Sequence, residues 1–94
     1  MVQMIENWSD VTATVVDAAA SSGHATLSLR VEKADDVPPF ANLMGDFVGR
    51  TVAVRVPSDL MAAVTPRPGD RVRLRVRRGG PAGFFAHPTE MRRA

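Results

Sequence analysis

The chain has 94 residues, no cysteine and 45% hydrophobic residues, which predicts one folded domain over residues 1–94 and excludes disulfides and thiolate metal sites. No apolar run reaches the roughly 18 residues of a membrane span, and the N-terminal segment has acids but no basic start, so we expect a soluble cytoplasmic protein without a signal peptide. Net charge is +2, but residues 1–49 carry two basic and seven acidic residues, whereas residues 50–94 carry ten arginines and three acidic residues. This division indicates a basic surface for a polyanion, or two complementary faces.

The first two strands are predicted at residues 9–19, "SDVTATVVDAA", and at residues 24–32, "HATLSLRVE". A turn of small residues at 19–23 joins them, so they are expected to form a hairpin. The side chains predicted to face inward are Val11, Ala13 and Val15 in the first strand and Ala25, Leu27, Leu29 and Val31 in the second.

The segment 33–49 is irregular, because Pro38 and Pro39 cannot lie in a central strand. Its apolar residues have rough helical spacing, which predicts a short helix or a packed loop. Two interpretations of residues 38–48 stay open. They plug one end of the fold, or they expose a patch that a partner covers.

The second half opens with a third strand at 50–57, with Val52, Val54 and Val56 inward, followed by a short helix at 58–64 with Ser58 as its N-cap. A Pro-Gly turn leads to a fourth strand at 71–78.

The chain is predicted to turn again at 79–83 and to form a short fifth strand at 84–88 that Pro88 ends. Residues 89–94 are expected to fray, which leaves an ordered core of about residues 8–88. Five short strands with one apolar face each bury that face and lose their edges when they close. The predicted fold class is therefore mainly β, a five-stranded Greek-key barrel with a short helix between strands 3 and 4.

This layout resembles the oligonucleotide/oligosaccharide-binding (OB) fold. The local match lies in "GRTVAVRVPSDLMAAVTPRPGDRVRLRVRR" (49–78), above all in "PGDRVRLRV" (68–76), which is similar to the second half of bacterial translation initiation factor one and to ribosomal-protein-type RNA-binding repeats. The resemblance implies an OB-like barrel that binds nucleic acid. Such barrels usually display aromatic residues on strands two and three, where this chain has Thr26, Ser28, Arg30, Thr51, Ala53 and Arg55.

The candidate site is the outer face of the fourth strand, where arginines alternate with apolar residues. The residues predicted to contact phosphates are Arg71, Arg73, Arg75 and Arg77, assisted by Arg55, Arg78 and Arg30. Phe84 or Phe85 is predicted to stack a base, because adjacent strand residues point to opposite faces. In a second interpretation the arginines form a solvated face or pair with the acidic first half. Trp8 precedes the first strand and is interpreted as a lid on the core, with a platform for a ligand as the alternative.

No catalytic constellation is present, so we expect no enzyme activity and no cofactor. His24 and His87 are the two histidines, and neither belongs to a spaced metal motif. Two hypotheses about function follow. In the first, the protein binds RNA or single-stranded DNA with little sequence preference. In the second, it is a protein-interaction or assembly module that pairs its charged halves with a neighbouring copy or docks a partner on the 38–48 loop.

Overall fold

The computed structural model describes residues 6–21, 23–79 and 83–94. Five strands and one helix account for most of them: β1 is Ser9–Ser21, β2 is His24–Asp36, β3 is Thr51–Pro57, α1 is Ser58–Val64, β4 is Arg71–Arg78 and β5 is Phe84–Arg93. A short 3-10 turn spans Gly45–Phe47. The predicted turns at 19–23 and 79–83 lie partly outside the described residues.

The strands close into a barrel in the order β1-β2-β3-β5-β4, with β4 pairing back onto β1. All neighbours are antiparallel except β3 and β5, which are parallel. The predicted mainly-β class, the closed five-stranded barrel and the helix between β3 and β4 are confirmed. The arrangement is compatible with an OB-like fold. Closure matters for the site, because every strand of the barrel has a neighbour on both sides and a continuous outer face.

The interior of the barrel is filled by the alternate residues that the sequence pattern predicts. Val11, Ala13, Val15, Ala25, Leu27, Leu29, Val31, Val52, Val54, Val56, Val72, Leu74 and Val76 are all buried. Burial of a Val or Leu side chain contributes about 1.5–3 kcal/mol. The regular alternation of buried and outward residues in β3, β4 and the first part of β2 fixes which of their side chains face out.

Part of the segment 38–48 packs onto the barrel, whereas Val48 is 47% exposed. Met44 is fully buried in the core, and Phe47 packs against it. Asn42 holds the segment in place. Its Oδ1 accepts hydrogen bonds from Ser9 Oγ (2.6 Å) and from the Met44 amide (3.1 Å), while its Nδ2 donates to the Ala34 carbonyl (3.1 Å).

The predicted end of the fifth strand is wrong, because β5 continues beyond Pro88 to Arg93. The register between β4 and β5 shifts between Leu74 and Val76, so Pro88 lies in an irregular stretch where a missing amide costs little. Beyond it, Met91 pairs with Leu74 and is buried. The segment expected to fray is therefore part of the barrel.

The predicted N-cap is also wrong. The helix α1 begins at Ser58, Pro57 occupies the cap position, and no side chain caps the first turn. The other end of the helix is held by Arg93, whose guanidinium donates to the carbonyls of Val64 (3.1 Å) and Thr65 (3.0 Å).

Candidate nucleic-acid interface

The arginine row of β4 lies on the outer face of the barrel, as the alternation predicts. The intervening residues Val72, Leu74 and Val76 are buried. Arg71 and Arg77 are exposed, whereas Arg73 and Arg75 are partly covered. The structure therefore confirms that the row faces outward but shows that its four members have different surroundings.

Three of these arginines form ion pairs with the acidic first half of the chain. Arg75 Nε lies 3.0 Å from Asp10 Oδ1, Arg73 Nη1 lies 3.1 Å from Asp35 Oδ2, and Arg71 Nη2 lies 3.3 Å from Glu32 Oε1. Arg73 also reaches Asp10 Oδ2 at 3.8 Å. We call these six residues the acid-paired cluster. They meet because β1 pairs with both β2 and β4.

The acid-paired cluster is partly exposed, with the Arg73 and Asp10 side chains 29% and 25% accessible. Pairs of this kind contribute about 0.2–1 kcal/mol each, so they do little for stability. Each of the three guanidiniums already has a carboxylate partner, so it is less available to an external anion. The hydrogen bond from Arg75 to Asp10 raises the pKa of Arg75 above its usual range, while partial burial opposes that shift.

A second set of outward side chains lies in one register across four strands. Thr26 of β2 pairs with Arg55 of β3, Arg55 pairs with Phe85 of β5, and Phe85 pairs with Arg77 of β4. We call Thr26, Arg55, Phe85 and Arg77 the outer row. Because neighbouring strands are about 4.8 Å apart, Arg55 and Arg77 start about 10 Å from each other, with Phe85 on the strand between them.

The arginines of the outer row differ from those of the acid-paired cluster. In the described parts of the chain, no carboxylate lies within ion-pair distance of Arg55 or Arg77. Arg77 instead places its guanidinium carbon 5.0 Å from the centroid of the Phe85 ring. Arg30 is exposed on β2 opposite Thr51 and likewise has no ion pair there. These guanidiniums are available to an external anion.

The Phe85 ring rests on the backbone of the β4–β5 connection. A Cβ atom on Gly83 would come within 2.6 Å of the ring, and one on Gly79 within 2.8 Å. The Gly79 amide donates to the Gly83 carbonyl at 2.9 Å, which holds the two glycines together. Only residues without a side chain leave room for the ring in this position.

The two adjacent phenylalanines point to opposite sides, as predicted. Phe84 packs against the core, and its ring meets that of Phe47 edge-on at 5.0 Å. Arg78 lies over Phe47, with 5.6 Å from its guanidinium carbon to the ring centroid. Of the two predicted stacking residues, the structure places Phe85 in the outer row and Phe84 in the packing of the core.

Two aromatic residues outside the predicted site lie beside the outer row. The Trp8 indole meets the His87 imidazole at 5.2 Å between ring centroids, with an interplanar angle of 62°. Trp8, which is interpreted from the sequence as a lid on the core, is half-buried between the buried residues Asn7 and Ser9, and its ring contacts that of His87. The sequence could have indicated His87 as a site residue, because it is two residues from Phe85 and alternate residues of a strand share a face.

The other features of the described residues give no further candidate site. An open cleft of about 330 Å³ lies against the acid-paired cluster, lined by Arg73, Arg75, Glu90 and Arg92 among others. The described residues contain no group of three or more His, Asp or Glu that could hold a metal ion. None of the described helices is long and apolar enough to span a membrane.

Comparison with known proteins adds no family assignment. No protein-family model, curated protein or solved structure matches the chain.

Proposed function

We propose that this protein binds single-stranded nucleic acid, with little sequence preference, through the outer row and Arg30. The observation that supports this proposal is the arrangement Arg55–Phe85–Arg77, in which an aromatic residue lies between two arginines that lack a carboxylate partner among the described residues, with the Arg77 guanidinium over the ring. Proteins that bind single strands combine positive groups along the backbone with aromatic rings on which bases stack. A ring stacks any base, which is why such binding tolerates sequence changes.

We further propose that the barrel is an OB-like domain of the type that the sequence resembles. The strand order β1-β2-β3-β5-β4 and the position of α1 support this assignment. OB-folds bind oligonucleotides on the face of strands 2 and 3 and on nearby loops. Arg30 and Arg55 lie on β2 and β3 of this chain, at the edge of that face. The likeness is one of fold, so it supports the proposal without deciding it.

The assembly hypothesis finds less support in the structure. It requires the acidic first half to meet the basic second half of a neighbouring copy. Here Asp10, Glu32 and Asp35 already pair with arginines of the same chain. Head-to-tail association through those charges would have to break the internal pairs first.

Fluorescence anisotropy of labelled single-stranded oligonucleotides tests the nucleic-acid proposal. Arg55→Glu reverses a charge in the outer row at an exposed side chain, so we expect binding to weaken by about tenfold or more while the fold persists. The matched control is Arg67→Glu, which makes the same change of net charge in the exposed turn before β4. Equal losses for the two variants would indicate non-specific charge attraction. No measurable binding by the unmodified protein would reject the proposal.

A further inference from the structure

We infer that Trp8 and His87 form a second base-stacking position, next to the outer row, on which the same single strand continues beyond Phe85. This inference rests on the proposed function and adds two binding residues to it.

The position of Trp8 follows from the pairing of the residues around it. Ser9 pairs with Val76, and the Asn7 side chain exchanges two hydrogen bonds with the backbone of Arg78, at 2.9 and 2.8 Å. Trp8 therefore lies beside Arg77, on the side opposite Phe85. Its amide donates to the Ala41 carbonyl at 3.2 Å, which fixes the backbone at this point.

His87 links Trp8 to the outer row from the other side. It follows Phe85 by two residues on the same face of β5, so the two side chains start about 6.5–7 Å apart. Its Nδ1 accepts a hydrogen bond from the Thr89 amide at 3.2 Å, which orients the ring. Arg77 thus lies between Phe85 on one side and Trp8 on the other, and His87 contacts Trp8.

The exposure of these rings suits stacking. All three are partly covered and partly accessible, so each is held in place and still offers surface. In the edge-on contact between Trp8 and His87, the edge of one ring meets one face of the other. The contact between these two rings therefore does not cover their remaining faces. Arg77 supplies a positive charge close to any phosphate that joins two stacked bases.

The occupant that fits this surface is a strand with both bases and phosphates. Within the described residues, Arg77 has no carboxylate partner, so a negative group from outside is favoured there. Flat aromatic bases fit the three rings, whereas a polyanion without bases fits Arg77 and Arg55 alone. This difference separates the inference from the broader proposal.

Trp8 is the only tryptophan and the chain has no tyrosine, so tryptophan emission reports on this position alone. We would titrate the protein with a labelled oligonucleotide and with an abasic strand of the same length, and follow oligonucleotide anisotropy and tryptophan emission together. We expect the intact strand to quench Trp8 along the same curve as the anisotropy. The abasic strand should bind more weakly and leave the emission unchanged.

The possible results separate the two proposals. Binding of the intact strand without a change in tryptophan emission would overturn the inference and leave the proposed function standing. Quenching by the abasic strand equal to that by the intact strand would also overturn it, because the effect would not depend on bases. Absence of binding by both strands would reject the proposed function, and this inference with it.

Three variants that leave the formal charge unchanged provide an independent test. Trp8→Leu keeps an apolar side chain but removes the ring, and we expect affinity to fall by roughly 5- to 100-fold, the value of one stacked base. Trp8→Phe keeps a ring and should retain most of the affinity. If Trp8→Leu fails to fold, His87→Ala tests the same position from β5. Wild-type affinity in both ring-deleted variants would contradict the inference.

Discussion

Single residues decide whether Phe85 can serve as a platform. Its ring occupies the space where side chains of residues 79 and 83 would stand. Neither glycine has a left-handed backbone conformation, so alanine fits the backbone at both positions and the constraint comes from the ring alone. The β4–β5 connection is therefore matched to the outer row by size, and a methyl group is enough to disturb the match.

Gly83→Ala is expected to tilt the Phe85 ring and lower oligonucleotide affinity by about 3- to 10-fold, part of the value of a stacked base. The fold should persist, because the ring is half-buried and can move outward. Anisotropy measures the loss, and urea unfolding checks stability. Gly45→Ala is the control, since its Cβ would meet nothing within 4 Å. Equal affinities for the two variants would show that the position of the ring is unimportant.

At the level of elements, β5 is the strand on which the site depends most. It carries Phe85 and His87 on its outer face and pairs with both β3 and β4. Its pairing with β3 is confined to Val54↔Phe84 and Arg55↔Phe85. The longer pairing with β4, which extends past Pro88 to Arg93, therefore anchors the strand that presents the platform.

Met91→Ala tests whether residues 89–93 belong to the barrel. Met91 is 8% exposed and lies opposite Leu74, so its truncation should lower the free energy of unfolding by about 2–3 kcal/mol. Thr89→Ala, at an exposed position of the same segment, should change it by less than about 0.5 kcal/mol. Urea unfolding gives both values. If residues 89–93 were frayed, neither substitution would change the free energy of unfolding.

The sequence predicts the elements much better than the partners of their side chains. Alternation of Val and Leu with polar residues places the inward face of four strands correctly, because the period of a strand is local. The predicted end of β5 at Pro88 is wrong. A proline usually ends a strand, and the register shift that accommodates Pro88 depends on the pairing with β4. The pair Arg75–Asp10 joins residues 65 positions apart, and only the barrel register brings them together.

At the level of the whole molecule, the barrel brings acidic residues of the first half of the chain into contact with arginines of the second half. β1 lies between β2 and β4, so the acids of the first half meet three arginines of the second on one side of the barrel. The outer row and Arg30 lie outside this neutralised region. Three of the seven arginines of the sequence-based site already have carboxylate partners, so fewer are available to an external anion than the composition indicates.

The salt dependence of binding indicates how many arginines contact phosphates of the bound strand. For a single strand, the logarithm of the affinity falls against the logarithm of the salt concentration with a slope of about −0.7 per neutralised phosphate. Contacts from Arg30, Arg55 and Arg77 alone predict a slope of about −2, whereas all seven arginines of the sequence-based site predict about −5. We expect the shallower slope of about −2, because Arg71, Arg73 and Arg75 retain their carboxylates and Arg78 lies over the Phe47 ring, away from the outer row. Asp10→Asn removes the shared carboxylate of Arg73 and Arg75, so its slope should become steeper. A slope near −5 in the unmodified protein would mean that the internal pairs open when the strand binds, and that the neutralised face is part of the interface.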